Sequence, residues 1–215
     1  MTGLDEADLA AIGELRRRLD PAGFDKIVAL NVNRPNKLKY LDVDRWFRKM
    51  WLDAKSLGLL QCRPLSILDL GTGPGYFPYI CRSLGHDCIG LDRPDSRFYD
   101  ELRAWVGTSV IKHVIAPRVP LPRFDRQFDL VTAFRAPFDI VRDEKRLFTS
   151  EEWSWFLDDV RDHVLVPGGA VYMRMNKDYP YEGAVFGTPE LAELFIRRGA
   201  QLEPRTRAVH FATLR

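Results

Sequence analysis

Leu4, Ala7, Ala11, Ile12, Leu15 and Leu19 recur at helical spacing, which predicts an amphipathic helix with Thr2 as its N-cap and Pro21 as its stop. A second stripe of Val43, Phe47, Met50, Trp51, Ala54 and Leu57 predicts another helix, capped by Asp42 or Asp44 and closed by Gly58. Residues 31–39 between them are polar, basic and interrupted by Pro35, and read as a loop. From Leu65 the period changes. Short apolar runs now alternate with helical stretches, the pattern of a parallel sheet with right-handed crossovers. Strands are predicted at residues 65–70, at a run ending on Asp92, and at 110–115, 128–134 and 170–175, with one or two closing strands in 201–214. Helices are predicted at 76–84 and 97–106, behind the capping box Thr149-x-x-Glu152, and from Pro189 to Gly199. Pro117, Pro120 and Pro122 break the pairing before the fourth strand.

The segment Ile67-Leu68-Asp69-Leu70-Gly71-Thr72-Gly73-Pro74-Gly75-Tyr76-Phe77 carries the strongest chemical signal. It reads as strand, glycine loop and helix start. Alternate glycines allow positive φ and expose peptide N–H groups to a ligand at a helix N-terminus. A dinucleotide fingerprint requires a third glycine where Tyr76 stands, and Asp69 would oppose a pyrophosphate. S-adenosylmethionine suits these charges better: its carboxylate can use the loop N–H groups, and its ammonium and sulfonium favour a nearby acid. The next strand, Asp87-Cys88-Ile89-Gly90-Leu91-Asp92, ends in an acid placed to accept the ribose hydroxyls.

Acid-x-Gly-x-Gly-x-Gly followed about twenty residues later by a strand-terminal acid resembles the class I S-adenosylmethionine-dependent methyltransferase family. The resemblance runs from Leu65 onward and takes in Phe128-Asp129-Leu130-Val131-Thr132-Ala133 and Leu165-Val166-Pro167-Gly168-Gly169. It implies a Rossmann-like, doubly wound α/β fold with a mostly parallel seven-stranded sheet, helices on both faces and an N-terminal helical extension. The implied division is an extension or lid at 1–62 and a cofactor-binding domain at 63–215. The resemblance assigns the cofactor to Asp69, Gly71, Thr72, Gly73, Gly75, Tyr76, Phe77, Asp92, Arg93, Ile115, Ala116, Ala133 and Phe134. The acceptor is assigned to the loops 135–150 and 177–187, with Arg135, Asp139 and Tyr179 as contacts, and to Tyr40 in the segment entering the domain; Asp178 and Tyr181 are further candidates.

With 215 residues, 46% hydrophobic and 29% charged, the chain suits one good core. A net charge of +2 with interspersed signs gives no nucleic-acid footprint, and Arg16-Arg17-Arg18 reads as a solvated helix face. Cys62, Cys81 and Cys88 lack metal-ligand spacing and read as buried reduced thiols. The absence of a basic leader and of a long apolar run predicts a soluble, cytoplasmic protein with neither membrane nor metal partner.

Methyl transfer needs orientation and desolvation rather than a protein nucleophile. A hydroxyl acceptor would want a general base, yet His113 falls in a predicted strand, His163 in a helix, His86 on the surface and His210 in the last strand. After the fourth strand, Phe134-Arg135-Ala136-Pro137-Phe138 lacks the Asn/Asp-Pro-Pro-aromatic signature of amino-methylating nucleic-acid enzymes, and no Pro-Cys nucleophile is present. A small-molecule or sugar acceptor is favoured by elimination, with transfer to O or N left open. A non-catalytic cofactor-binding module and an NAD-dependent oxidoreductase are the competing readings.

Overall fold

The computed structural model describes residues 3–94, 96–176 and 186–214. Helix α1 (Glu6–Arg17) is capped by Asp5, whose carboxylate accepts the Asp8 N–H while Asp8 accepts the Asp5 N–H. The expected cap, Thr2, lies outside the described residues. Pro21 begins a helix rather than ending one. It occupies the first turn of α2 (Pro21–Asn31), where a missing N–H costs nothing, and Asp20 caps that helix through Ala22 and Gly23. The expected loop at 31–39 therefore starts inside α2 and holds a further turn, α3 (Pro35–Leu38), before α4 (Val43–Ser56) starts at its cap Asp42.

The alternating region follows as β1 (Ser66–Leu70), α5 (Tyr76–Ser83), β2 (Asp87–Asp92), α6 (Arg97–Val106), β3 (Val110–Lys112) and β4 (Phe128–Phe134). Strand β3 stops short of His113, whose N–H donates to the Asp92 carbonyl at 2.9 Å. Residues 135–150, read as irregular, contain a small hairpin of β5 (Ile140–Val141) and β6 (Arg146–Leu147). Arg146 pins it to the next helix, α7 (Ser150–Asp159), by donating to both Glu152 carboxylate oxygens at 2.6 and 2.8 Å. Glu152 also closes the expected capping box with Thr149.

A π-helical turn, Val160–Val164, then leads directly into β7 (Leu165–Arg174). Leu165 already pairs with Phe128, and the register slips before Ala170 meets Leu130, so the Pro-Gly-Gly turn is a bulge inside the strand rather than its entrance. Helix α8 (Pro189–Arg197), capped by Thr188, precedes the antiparallel β8 (Gln201–Glu203) and β9 (Ala208–Phe211).

The sheet order is β3-β2-β1-β4-β7-β9-β8, a Rossmann-like doubly wound α/β arrangement with β1 parallel to β4 and β4 to β7, and β9 antiparallel to β7. The chain forms two compact units, one of Met1–Pro64, Thr72–Gly90 and Asp95–Ile111, the other of Leu65–Gly71, Leu91–Pro94 and Lys112–Arg215. In the first, α4 packs on α1 and α5, and α2 on α6, around Phe47, Phe77 and Phe98. In the second, buried Trp153 meets Phe138, Phe148, Phe156 and Phe195 with ring centroids 5.3–6.0 Å apart.

Three surface expectations are corrected. His86 is buried, because Gly85 at φ 89° turns the chain inward and the imidazole Nε2 lies 2.8 Å from the Leu59 carbonyl. Cys62 is exposed, since it follows the last helical turn rather than entering the core, while Cys81 and Cys88 are buried free thiols. Arg16 lies over the rings of Phe24 and Trp105 at 5.2 and 5.3 Å, unlike Arg17 and Arg18, which pair with Glu14 in solvent. Among the described residues, no helix is long and apolar enough to cross a membrane.

A partly buried ion pair ties α1 to α4. Asp8 accepts from Trp51 Nε1 at 2.8 Å and from Lys55 Nζ at 2.5 Å. Burial alone would raise its pKa, but these donors outweigh that and hold it at about 2. The folded carboxyl thus binds its proton less tightly than the unfolded one, so its stabilisation is complete above about pH 4 and disappears as pH falls through about 2. Asp8→Asn should lower stability by about 2 kcal/mol at pH 7 and flatten the acid limb. Urea titrations at pH 7 and pH 3 check this, and equal losses at both pH values would contradict it.

Candidate active site

The loop after β1 is fixed by what surrounds its glycines. Gly71 has φ 63°, donates its N–H to the Leu91 carbonyl at 2.7 Å, and leaves no room for a Cβ, which would lie 2.3 Å from Ala136 Cβ. Gly75, at φ 82°, starts α5 and is crowded in the same way by Thr108, whose hydroxyl donates to its carbonyl at 2.9 Å. Gly73 differs. Its φ is 55°, yet among the described residues nothing lies within 4 Å of the position a Cβ would take. Its carbonyl is held by Arg103 Nε at 2.7 Å, and Arg103, itself buried, is anchored by Asp100 at 2.9 Å. Arg103 thus fixes the Gly73 peptide through its carbonyl, and the described residues leave unfilled the space a Cβ would take.

Thr72 supplies a second sign. Gly90 lacks a Cβ, and the Thr72 methyl fills that space, coming within 2.5 Å of where a Cβ would stand. Its Oγ1 is buried and has no hydrogen-bond partner among the described residues. A buried, unsatisfied hydroxyl costs about 1–3 kcal/mol. A polar ligand at this loop would offset that cost.

Tyr76 and Phe77 are each only 2% exposed, so their side chains belong to the core and only their backbone remains for a ligand. Tyr76 packs edge-on against Phe47, and its hydroxyl, kept neutral by burial, donates to the Tyr40 carbonyl at 2.7 Å. The Tyr40 ring stacks on Trp46 at 5.3 Å and meets Tyr99 edge-on at 5.3 Å.

The acids lie at strand ends. Asp69 is buried beside Thr132 in the β1/β4 register and accepts its hydroxyl at 2.7 Å. Asp92 closes β2, and its Oδ1 accepts the N–H of Arg93 at 2.9 Å, which fixes the carboxylate's direction. Ile115 is buried, and the Ala116 carbonyl accepts the Val119 N–H at 3.3 Å. Ala133 is buried opposite Leu70, and Phe134, half-buried, faces Tyr172 with ring centroids 5.9 Å apart. The second unit thus brings Asp69, Gly71, Asp92 and residues 133–135 to the carboxyl ends of adjacent strands, where open α/β sheets bind ligands.

Arg135 has φ 55° and donates its N–H to the Arg174 carbonyl at 2.8 Å. Asp139 is buried, and its carbonyl accepts the Phe148 N–H at the mouth of the hairpin. Tyr179, with Asp178 and Tyr181, lies outside the described residues. Among the histidines, burial holds His113 and His210 below the usual pKa, and exposed His163 pairs with Asp159 at 3.0 Å. Among the described residues, no group of His, Cys, Asp and Glu could hold a metal ion. Sequence reading missed Gly90, Arg103, Thr108 and Ala136, which shape the loop from a distance; Gly90, two residues before Asp92, offered a local signal.

No protein-family model matches the chain. No curated protein matches it. Among solved structures it is similar to an S-adenosylmethionine-bound amino pentose methyltransferase from Micromonospora echinaspora, with 20% identity over 60% of this chain and 50% of that one and a TM-score of 0.44. It is also similar to a ribosomal protein L11 methylase from Lactobacillus delbrueckii subsp. bulgaricus, at 18% identity over 76% and 78% of the two chains and a TM-score of 0.49. A TehB-like methyltransferase from Corynebacterium glutamicum gives 18% identity over 74% and 84%, with a TM-score of 0.48. The chain spans about half the length of the first of these.

Proposed function

We propose that this protein is a class I S-adenosylmethionine-dependent methyltransferase acting on an oxygen or nitrogen of a small-molecule or sugar acceptor. The observation that carries this reading is the open side of Gly73 in a loop whose other two glycines are filled by protein, with the unsatisfied Thr72 hydroxyl beside it. In chain order the loop stands between two strand-end acids, Asp69 and Asp92. Tyr76, buried where a dinucleotide fingerprint needs its third glycine, supports the sulfonium cofactor over a nicotinamide one.

When bound, S-adenosylmethionine supplies an electrophilic methyl on a sulfonium, displaced in line by a lone pair of the acceptor. The chain's own groups orient and shield. Asp69, fixed by Thr132, provides negative potential for an ammonium, Asp92 presents its carboxylate to a ribose diol, and the loop N–H groups with Thr72 Oγ1 receive a carboxylate. Phe134-Arg135-Ala136-Pro137-Phe138 after β4 offers no base-stacking signature, which supports a small acceptor.

Titration calorimetry with S-adenosylhomocysteine, and with NADH as the competing cofactor, tests the reading; binding of NADH alone would overturn it. Asp92→Ala should weaken S-adenosylhomocysteine binding by about 1.5–3 kcal/mol. Gly73→Val should abolish binding and, because φ 55° penalises a branched side chain, lower stability without unfolding the domain, since among the described residues no atom opposes the new side chain; native affinity in that variant would mean the ligand lies elsewhere. Release of S-adenosylhomocysteine across an acceptor panel separates an enzyme from a non-catalytic binding module.

The Tyr76 hydroxyl bond to Tyr40 links the start of α5 to the segment that precedes α4. With S-adenosylhomocysteine, residues 31–41 and 135–150 should gain amide protection in hydrogen exchange, and residues 47–57 should not. Unchanged exchange at 31–41 would identify that segment as a fixed layer rather than a lid.

A further inference from the structure

In the first unit, the stretch from the middle of α2 to the residues before α4 carries charge of one sign. Residues 26–41 hold Lys26, Arg34, Lys37 and Lys39 and no acid, four positive charges in a chain whose net charge is +2. Among the described residues none of the four pairs with a carboxylate. The acids around them are engaged elsewhere: Asp42 caps α4, Asp44 faces Arg16 at 3.9 Å, and on α6 Asp100 pairs with Arg103 and Glu101 with Arg97. Asp25 stands exposed one residue ahead of the stretch.

Two of the ammonium groups lie on adjoining rings. Lys37 Nζ is 4.2 Å from the centroid of the Tyr99 ring and 6.0 Å from that of Phe98, and Lys39 Nζ is 5.2 Å from that of Tyr40. The Tyr40 and Tyr99 rings meet edge to face at 5.3 Å. An aromatic face attracts a cation without cancelling its charge, so these ammonium groups are positioned at the surface and still attract an anion.

The same corner exposes apolar side chains. Seven large hydrophobic residues stand exposed among the described residues, and three of them, Leu30 at 65%, Val32 at 54% and Leu38 at 41%, fall within nine consecutive positions. Scattered singly, such residues need no explanation; a cluster does. Local geometry interleaves them with the cations. Lys26 and Leu30 are four residues apart on the solvent face of α2, and Arg34 and Leu38 stand four apart across α3, the spacing that makes side chains neighbours. The Arg34 N–H donates to the Asn31 carbonyl at 3.0 Å and the Lys37 N–H to the Arg34 carbonyl at 2.8 Å, so α2 turns into α3 without a spacer. Buried Asn31 donates to Glu101 at 3.3 Å, which fixes the corner to α6.

Cations without acids suit any polyanion, whereas leucine and valine set among them suit one with an apolar interior beneath its charge. A bilayer containing negatively charged lipid meets both conditions: its headgroups attract the lysines and arginine, and its acyl boundary takes the apolar side chains out of water. We propose that the α2–α3 corner docks this protein on a membrane surface bearing anionic lipid, with Leu30, Val32 and Leu38 entering the interface and Lys26, Arg34, Lys37 and Lys39 meeting the headgroups. Such attachment needs no membrane-spanning helix, and it is independent of the methyl-transfer reading.

Sedimentation of the full chain with vesicles tests this. Vesicles of phosphatidylcholine mixed with phosphatidylglycerol should carry the protein down, vesicles of phosphatidylcholine alone should not, and raised salt should weaken the binding. Arg34→Gln with Lys39→Gln should lower the partition by roughly tenfold or more, at about fivefold per cation removed. Arg123→Gln with Arg205→Gln, an equal charge change at exposed positions of the second unit, should leave it nearly unchanged. Leu30→Ser with Val32→Ser should also lower it roughly tenfold or more with every charge kept. The substituted side chains are all exposed, so melting temperatures should hold; in the wild type, independently of any variant, vesicle addition should slow amide exchange within residues 26–39. Absence of binding to the anionic vesicles overturns the proposal, and equal losses from the two charge-removing pairs reduce the attraction to net charge and overturn the corner. Binding that ignores Leu30 and Val32 and is matched by a single-stranded oligonucleotide assigns the surface to nucleic acid, and self-association through Leu30 and Val32 without vesicle binding assigns it to a second copy; each overturns membrane docking.

Discussion

Backbone geometry at the end of β1 is the constraint on which the proposed site depends. A chain leaving a buried strand must turn sharply into a helix, and here it does so through left-handed conformations at Gly71, Gly73 and Gly75. Two of the three glycines are compelled by protein atoms: Ala136 excludes a side chain at Gly71, and Thr108 excludes one at Gly75. Gly73 is compelled only by its own φ and faces open space. Packing explains the ends of the loop, and the left-handed backbone itself explains its middle. Arg103 contributes by holding the Gly73 carbonyl in place.

Much of this was legible in the sequence because its determinants are local. The span of β4, that of α6, the end of β2 at Asp92 and the Thr149/Glu152 capping box all follow from neighbouring residues. Local signals also misled. Asp20-Pro21 reads equally as the end of one helix and the start of the next, and only the cap bonds to Ala22 and Gly23 decide for a start. The β5/β6 hairpin is two residues per strand and depends on Arg146 reaching Glu152, a contact that periodicity does not report. His86 was misplaced for the same reason, since its partner is the carbonyl of Leu59, 27 residues earlier.

The candidate site divides along similar lines. Asp69, the glycines and Asp92 lie on a short, patterned stretch and could be named without coordinates. Thr132, Arg103 and Thr108 could not, because each acts on that stretch from a distant part of the chain.

The Tyr76–Tyr40 hydrogen bond gives this architecture a mechanical property. Tyr76 is the first residue of α5, so its backbone belongs to the glycine loop while its ring is clamped against Phe47 and its hydroxyl grips the main chain just ahead of α4. A buried phenol so held behaves as a rigid strut. Displacing the loop by a fraction of an ångström must either break that bond or move the Tyr40 backbone with it, and the Tyr40 ring, stacked on Trp46 and met edge-on by Tyr99, resists sliding. Any displacement of the loop would therefore be felt first as tension in the main chain just ahead of α4.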